Sequence, residues 1–263
     1  NMKNMFEGAN NFNQYIGGWD TSKVTTTEAM FKNAYNYNNA MANWDMSSNT
    51  NTMAMFENTP FNQDIRNWNM SNVTDISWMF KYAAQYNQPM LWNTSNVTQM
   101  VATFEGTALN QNLNWNTSKV TSMAWMFRVA TAFNGNISGF DTSKVTDFRA
   151  MFDGATAFSQ DITGWNVSSA QLMLWMFKNT SFNQNLGAWD FSSVRDMSWM
   201  FENNSAMSQA NYDALLLRWS SLPVQSNVAV DCSLLKYSAS SQAAKDYLMY
   251  TKGWAIYDAG VGP

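Results

Sequence analysis

The chain has 263 residues, of which 46% are hydrophobic and only 13% charged, with a net charge of −4. That balance excludes a phosphate-tracking nucleic-acid binder, which needs clustered Lys and Arg, and no apolar run of about 18 residues is present to cross a bilayer. One cysteine, Cys232, rules out an internal disulfide framework, and the lack of any histidine removes the usual general base and the commonest metal ligand.

The chain opens NMKNMFEGAN, without the basic start and apolar stretch of a signal peptide, and enters midway through a repeating unit. The phenylalanine of a Met-Phe step recurs at 6, 31, 56, 80, 104, 127, 152, 177 and 201, at intervals of 23 to 25 residues. Between these marks stands an aromatic residue: Trp19, Trp44, Trp68, Trp92, Trp115, Phe140, Trp165 and Trp189. A serine follows three residues after each, at Ser22, Ser47, Ser71, Ser95, Ser118, Ser143, Ser168 and Ser192, and a valine usually two residues later. A fixed period of this length is the mark of a solenoid.

Within the unit FNQDIRNWNMSNVTDISWMF (61–80), two rhythms meet. Val73, Ile76, Met79 and Phe80 fit a one-sided helical or 3₁₀ turn. Phe61, Ile65 and Trp68 punctuate a segment expected to be extended, so stacked units should align these segments as a parallel sheet. Two units, YNQPMLWN and LNQNLNWN, are one residue shorter and predict a bulge or turn. The Asn-Gln pairs at Asn62-Gln63, Asn87-Gln88 and their equivalents suit amide ladders. The Asp or Asn after the tryptophan, followed by Ser two residues on, suits an Asx or Ser turn.

After Phe201 the pattern stops. A helix is expected over 208–220, a strand over 227–231, a helix over 240–252 and a strand over 253–258, together suited to cap the last repeat. The predicted fold is an α/β solenoid, a leucine-rich-repeat-like right-handed coil of about eight repeats with a parallel sheet over 1–201, its first repeat incomplete, and a small C-terminal α/β cap over 202–263. The open N-terminal coil is expected to be covered by upstream repeats or another chain.

The segments FEGANNFNQYIGGWDTSKVTTTEAMF and MFDGATAFSQDITGWNVSSAQLMLWMF resemble the BspA-like repeats of bacterial surface proteins and mycoplasma lipoproteins, a leucine-rich-repeat-related family. NYDALLLRWSS, KYSASSQAAKDYL and GWAIYD resemble the cap that follows such repeats. The resemblance implies a secreted or surface-anchored protein serving adhesion or protein recognition, and it brings no catalytic residues.

Three ladders and a set of sequons are candidate sites. The residue before Met-Phe reads Ala29, Ala54, Trp78, Ala102, Trp125, Ala150, Trp175 and Trp199. These tryptophans are either half-buried spacers over the small alanines or an exposed aromatic stripe that anchors protein or glycan. Asp20 and Asp45 occupy one ladder position in adjacent units and are either turn-capping carboxylates or a cation site. Thr25, Thr50, Thr74, Thr98, Thr121 and Thr146 form a rank that could order water as in some ice-binding solenoids, against the plainer reading of good turn residues. Asn-x-Ser/Thr sequons stand at Asn69, Asn72, Asn93, Asn96, Asn116, Asn136, Asn166, Asn179 and Asn203, many following from the repeat consensus itself.

The expected function is a non-enzymatic extracellular or cell-surface module for adhesion or recognition of a protein or glycan, without cofactor, nucleic-acid partner or membrane insertion. The alternative is a structural subunit of a surface filament or layer that self-associates through its uncapped N-terminal coil.

Overall fold

Residues one period apart in the sequence lie on top of one another. The computed structural model, which describes residues 1–262, stacks the repeats as layers. Single-residue parallel bridges link Thr26, Asn51, Asp75, Gln99, Ser122, Asp147, Leu172 and Asp196 in succession. Beside each bridge, alternate backbone N–H groups donate to the next layer. Between the first two complete layers these are Thr27 to Asn51, Ala29 to Met53, Phe31 to Met55 and Asn33 to Glu57, and the same four recur at the later interfaces.

The segment that makes these bonds is not the helical turn expected at 73–80. Met79 N–H donates to the Ile76 carbonyl and Ala83 N–H to that of Phe80. Trp78 and Tyr82, third in each turn, have φ of 59° and 56°. Alternate N–H groups are drawn to the neighbouring layer, so no i→i−4 ladder can form, and tight turns with a left-handed third residue result.

The extended half, residues 61–68, forms no strand either. Its layers are joined largely through side chains. Asn38 Oδ1 accepts from Asn62 N–H and Gln63 Nε2, and Asn62 Oδ1 from Asn87 N–H and Gln88 Nε2. A ladder of amides therefore stands where a parallel sheet was expected, and backbone bridging moves to the other half of the unit.

The core between these walls is built of stacked rings. Phe31, Phe56, Phe80, Phe104 and Phe127 follow one another at centroid spacings of 5.6–5.8 Å. A tryptophan column runs alongside, and its indoles reach back one layer: Trp44 Nε1 donates to the carbonyl of Ile16, Trp68 to Met41, Trp92 to Ile65, Trp165 to Ile137 and Trp189 to Ile162. The sequence break comes after the two short units. Trp115 Nε1 is buried without a partner, and the next layer carries Phe140, which has no donor at all. Each follows a unit shortened ahead of its tryptophan, where Met90 and Leu113 hold the place of the accepting residue.

The bonds between layers share a direction. In the run 26–33, N–H groups point toward the C-terminal end of the stack and the carbonyls of the same trans peptides toward the N-terminal end. β-ladders alternate and nearly cancel, whereas here four peptide dipoles per layer add, as they do in a helix.

The tail closes the other end. Helix α1 (Gln209–Ser221) starts at Ser208, whose hydroxyl accepts from Asn211 N–H, and buries Tyr212, Leu215, Leu216 and Trp219. Strand β1 (Ala229–Cys232) pairs in parallel with β2 (Ala255–Asp258), and Val230 bridges Met197 so that β1 extends the stack. Between the strands, a short 3₁₀ turn, helix α2 (Gln242–Asp246) and a π-helical turn (Tyr247–Thr251) replace the single helix expected at 240–252.

Candidate functional site

Every residue of the ladder that precedes Met-Phe is left-handed: Ala29, Ala54, Trp78, Ala102, Trp125, Ala150, Trp175 and Trp199 have φ between 49° and 59°. The conformation turns each side chain away from the ring-filled interior. Ala102 and Ala150 are buried, whereas Trp78 and Trp199 are 37% and 45% exposed, and Trp125 and Trp175 are half-buried. Left-handed backbone disfavours a side chain by roughly 1–2 kcal/mol, a cost that the alanine and tryptophan rungs share.

One residue after each phenylalanine, a column of charges runs parallel to the tryptophans and alternates in sign: Glu7, Lys32, Glu57, Lys81, Glu105, Arg128, Asp153, Lys178 and Glu202. Lys81 lies 3.2 Å and Arg128 2.9 Å from Glu105, Arg128 3.2 Å from Asp153, and Lys178 2.6 Å from Glu202. Glu105 is buried and also accepts from the Tyr82 hydroxyl at 3.0 Å. Burial, helped by this carboxylate, pushes the Tyr82 phenol up from its usual value. The alternation was legible in the sequence by aligning the position after Phe. The outward turn of the tryptophans was not, because left-handed backbone is expected of glycine or asparagine.

The remaining candidates are drawn into the scaffold. Asp20 Oδ1 accepts from the Ser22 N–H and hydroxyl, and Asp45 Oδ1 from Ser47 N–H at 2.8 Å. These bonds hold both carboxyls below the ordinary range, while Asp20 opposes the shift at Asp45. No third His, Cys, Asp or Glu joins them among the described residues. The serine ladder closes turns in the same way, through Ser118 on Asn116, Ser143 on Asp141, Ser168 on Asn166 and Ser192 on Asp190.

In the threonine rank, Thr50 Oγ1 donates to the Thr25 carbonyl, Thr74 to Thr50, Thr98 to Thr74, Thr121 to Thr98 and Thr146 to Thr121. Each of these hydroxyl protons is thereby committed to the neighbouring layer. Of the sequon asparagines, Asn72, Asn96, Asn179 and Asn203 use their amide nitrogens as donors to neighbouring layers, and Asn69, Asn93, Asn116, Asn136 and Asn166 use only the oxygen to close local turns.

A tandem array of short repeats that carries an aligned aromatic row defines a class of repeat protein. The chain belongs to the DUF285 family, described as a mycoplasma protein of unknown function, whose pattern matches twice in tandem, over residues 1–114 and 107–214. No curated protein and no solved structure matches it.

Proposed function

We propose that this chain is a non-enzymatic recognition module of the secreted or surface-displayed, BspA-like kind, built as a leucine-rich-repeat-like solenoid that engages a macromolecule through its tryptophan-bearing face. The observation that carries the reading is the row Trp78, Trp125, Trp175 and Trp199, turned outward on a stack that does not need them for its core, with Trp78 and Trp199 well exposed. Exposed tryptophan on a rigid support is the residue type that dominates binding interfaces. The repeat resemblance and the mycoplasma family membership suit a surface role.

A variant with all four tryptophans changed to alanine should keep the stack, because Ala already occupies four rungs. Beads coated with the wild-type chain should adhere to cultured cells or extracellular matrix, and beads coated with the variant should not. Equal adhesion by a folded variant sinks the reading.

A filament-forming role is the second reading. It is favoured by the shared direction of the bonds between layers, which another stack of the same kind could continue. Against self-stacking, β1 covers the last layer's own donor edge, where Phe201 N–H already donates to Asp231. Sedimentation across concentration should therefore give a monomer, and concentration-dependent fibres would restore the filament.

A further inference from the structure

Two stretches of the tryptophan face share one plan. In each, two tryptophans flank a buried alanine, and beside them two cations flank a carboxylate. The first is Trp78–Ala102–Trp125 beside Lys81–Glu105–Arg128, and the second is Trp125–Ala150–Trp175 beside Arg128–Asp153–Lys178. With a rise of about 4.8 Å per layer, the flanking tryptophans stand roughly 10 Å apart. That gap is wide enough to admit one ring or planar group between two indoles.

The second slot is filled by the protein itself. Arg149, whose carbonyl accepts from Trp125 N–H, lays its guanidinium 5.0 Å from the centre of the Trp125 ring and is tied to Asp147 at 2.8 Å. In the first slot the equivalent positions hold Val101, whose carbonyl accepts from Trp78 N–H, and Gln99. Val101 is too short to cover the indole. A cavity of about 240 Å³ remains, lined by Trp78, Lys81, Ala102, Glu105, Trp125 and Arg128.

The charges most exposed at its mouth are the cations, with Arg128 shared between Glu105 and the largely covered Asp153. Glu105 is sealed beneath with 3% of its side chain exposed, while Lys81 and Arg128 keep 26% and 39%. A guanidinium from a partner would meet two cations and no free carboxylate, unlike Arg149, which brings Asp147 with it. The geometry points to this slot as a binding site for one carboxylate-bearing sugar ring of an acidic glycan. The C–H face of the sugar stacks on indole, and the carboxylate and hydroxyls at its edge reach the Lys81 and Arg128 donors. The cleft of about 440 Å³ between Trp199 and Tyr257 is lined by Asp231 and Ser198 instead, so it lacks the cationic pair and is not part of the site. The inference names the ligand class for the recognition reading and rests on it.

The test is a titration of the intact chain with galacturonate oligomers, followed by tryptophan fluorescence and calorimetry, with neutral cello-oligomers and a Glu/Tyr-rich peptide as controls. Galacturonate should bind, weaken as salt is raised, and weaken by about tenfold or more, roughly 1.4 kcal/mol, in Trp78→Ala. The double variant Gln99→Asp/Val101→Arg, which transplants the Asp147–Arg149 pair and removes no wall, should abolish binding in a chain that melts like the wild type. The reverse change, Asp147→Gln/Arg149→Val, should open the second slot and raise the stoichiometry. No binding, equal binding of the neutral oligomer, preference for the peptide, or indifference to the transplanted pair would each overturn the proposal. Tryptophan-dependent adhesion that survives such a result would leave the recognition module standing and remove only its acidic-sugar ligand.

Discussion

Tryptophan at 68 and at 115 stacks in the same column, yet the two differ in a hydrogen bond. Trp68 Nε1 donates to Met41 at 3.0 Å, and Trp115 Nε1 meets nothing. Leaving a buried acceptor unpaired is destabilising by about 1–3 kcal/mol, so Trp68→Phe should lower stability by that order. Trp115→Phe should lose well under half as much, because it removes an unsatisfied donor along with part of a ring. Paired thermal melts decide the point, and Phe140 shows the same substitution already made in the next layer.

The left-handed rungs give a second contrast. A Cβ at Gly106, where φ is +70°, would come within 2.5 Å of Tyr82 Cδ1. Gly106→Ala should destabilise by about 1–3 kcal/mol from strain and overlap together, and Tyr82→Gly in the same chain should recover part of it. Additive effects of the two changes would show that the ring and the glycine are not coupled.

At the scale of the repeat element, each layer is closed by side chains rather than by long strands. The Asn62 side chain works only as an acceptor, through Oδ1 from Asn87 N–H and Gln88 Nε2. Asn62→Asp keeps that capacity and should be nearly neutral, whereas Asn62→Ala should be destabilising by about 1 kcal/mol; urea titrations of the two variants separate them.

The Asx turns carry a pH signature. Ser143 lowers the Asp141 carboxyl and Ser192 that of Asp190 through side-chain and backbone bonds. A carboxyl held lower in the folded chain stabilises it above the unfolded value, and that contribution disappears as pH falls through the folded value. Melting temperature should therefore drop on acidification below about pH 4. Asp141→Asn/Asp190→Asn should flatten that drop with little change at neutral pH, since Asn116 and Asn166 already close the same turn.

For the whole molecule, the peptide dipoles between layers all run one way along the stack. Each layer offers its N–H edge to the next, and the last passes that edge to β1, where Phe201 N–H donates to Asp231. Stability of such an array is roughly a sum of layer and interface terms, so the tail matters most to its nearest neighbours. Ending the chain after residue 201 should expose Phe201, Met197 and Trp189, lower the melting temperature and bring concentration-dependent association, all visible by light scattering during a melt.

Period, layer number, the aromatic core and the position of the tail were legible in the residues alone. Each follows from equivalent side chains recurring every 23 to 25 positions, and burial of Phe80, Trp68 and their counterparts needs no knowledge of backbone geometry. The Asx turns at Asp141 and Asp190 were readable too, since they are local. What only the tertiary structure decided was the backbone between those marks. Hydrophobic spacing at 73–80 fits a helical turn, but N–H groups with partners in the next layer do not turn inward, and that competition has no local sequence signal. The same pairing makes Trp78 and Trp125 left-handed and turns them outward. Whether a slot then stands open or filled depends on Val101 or Arg149, residues that meet these tryptophans only because one full repeat of chain folds back into register.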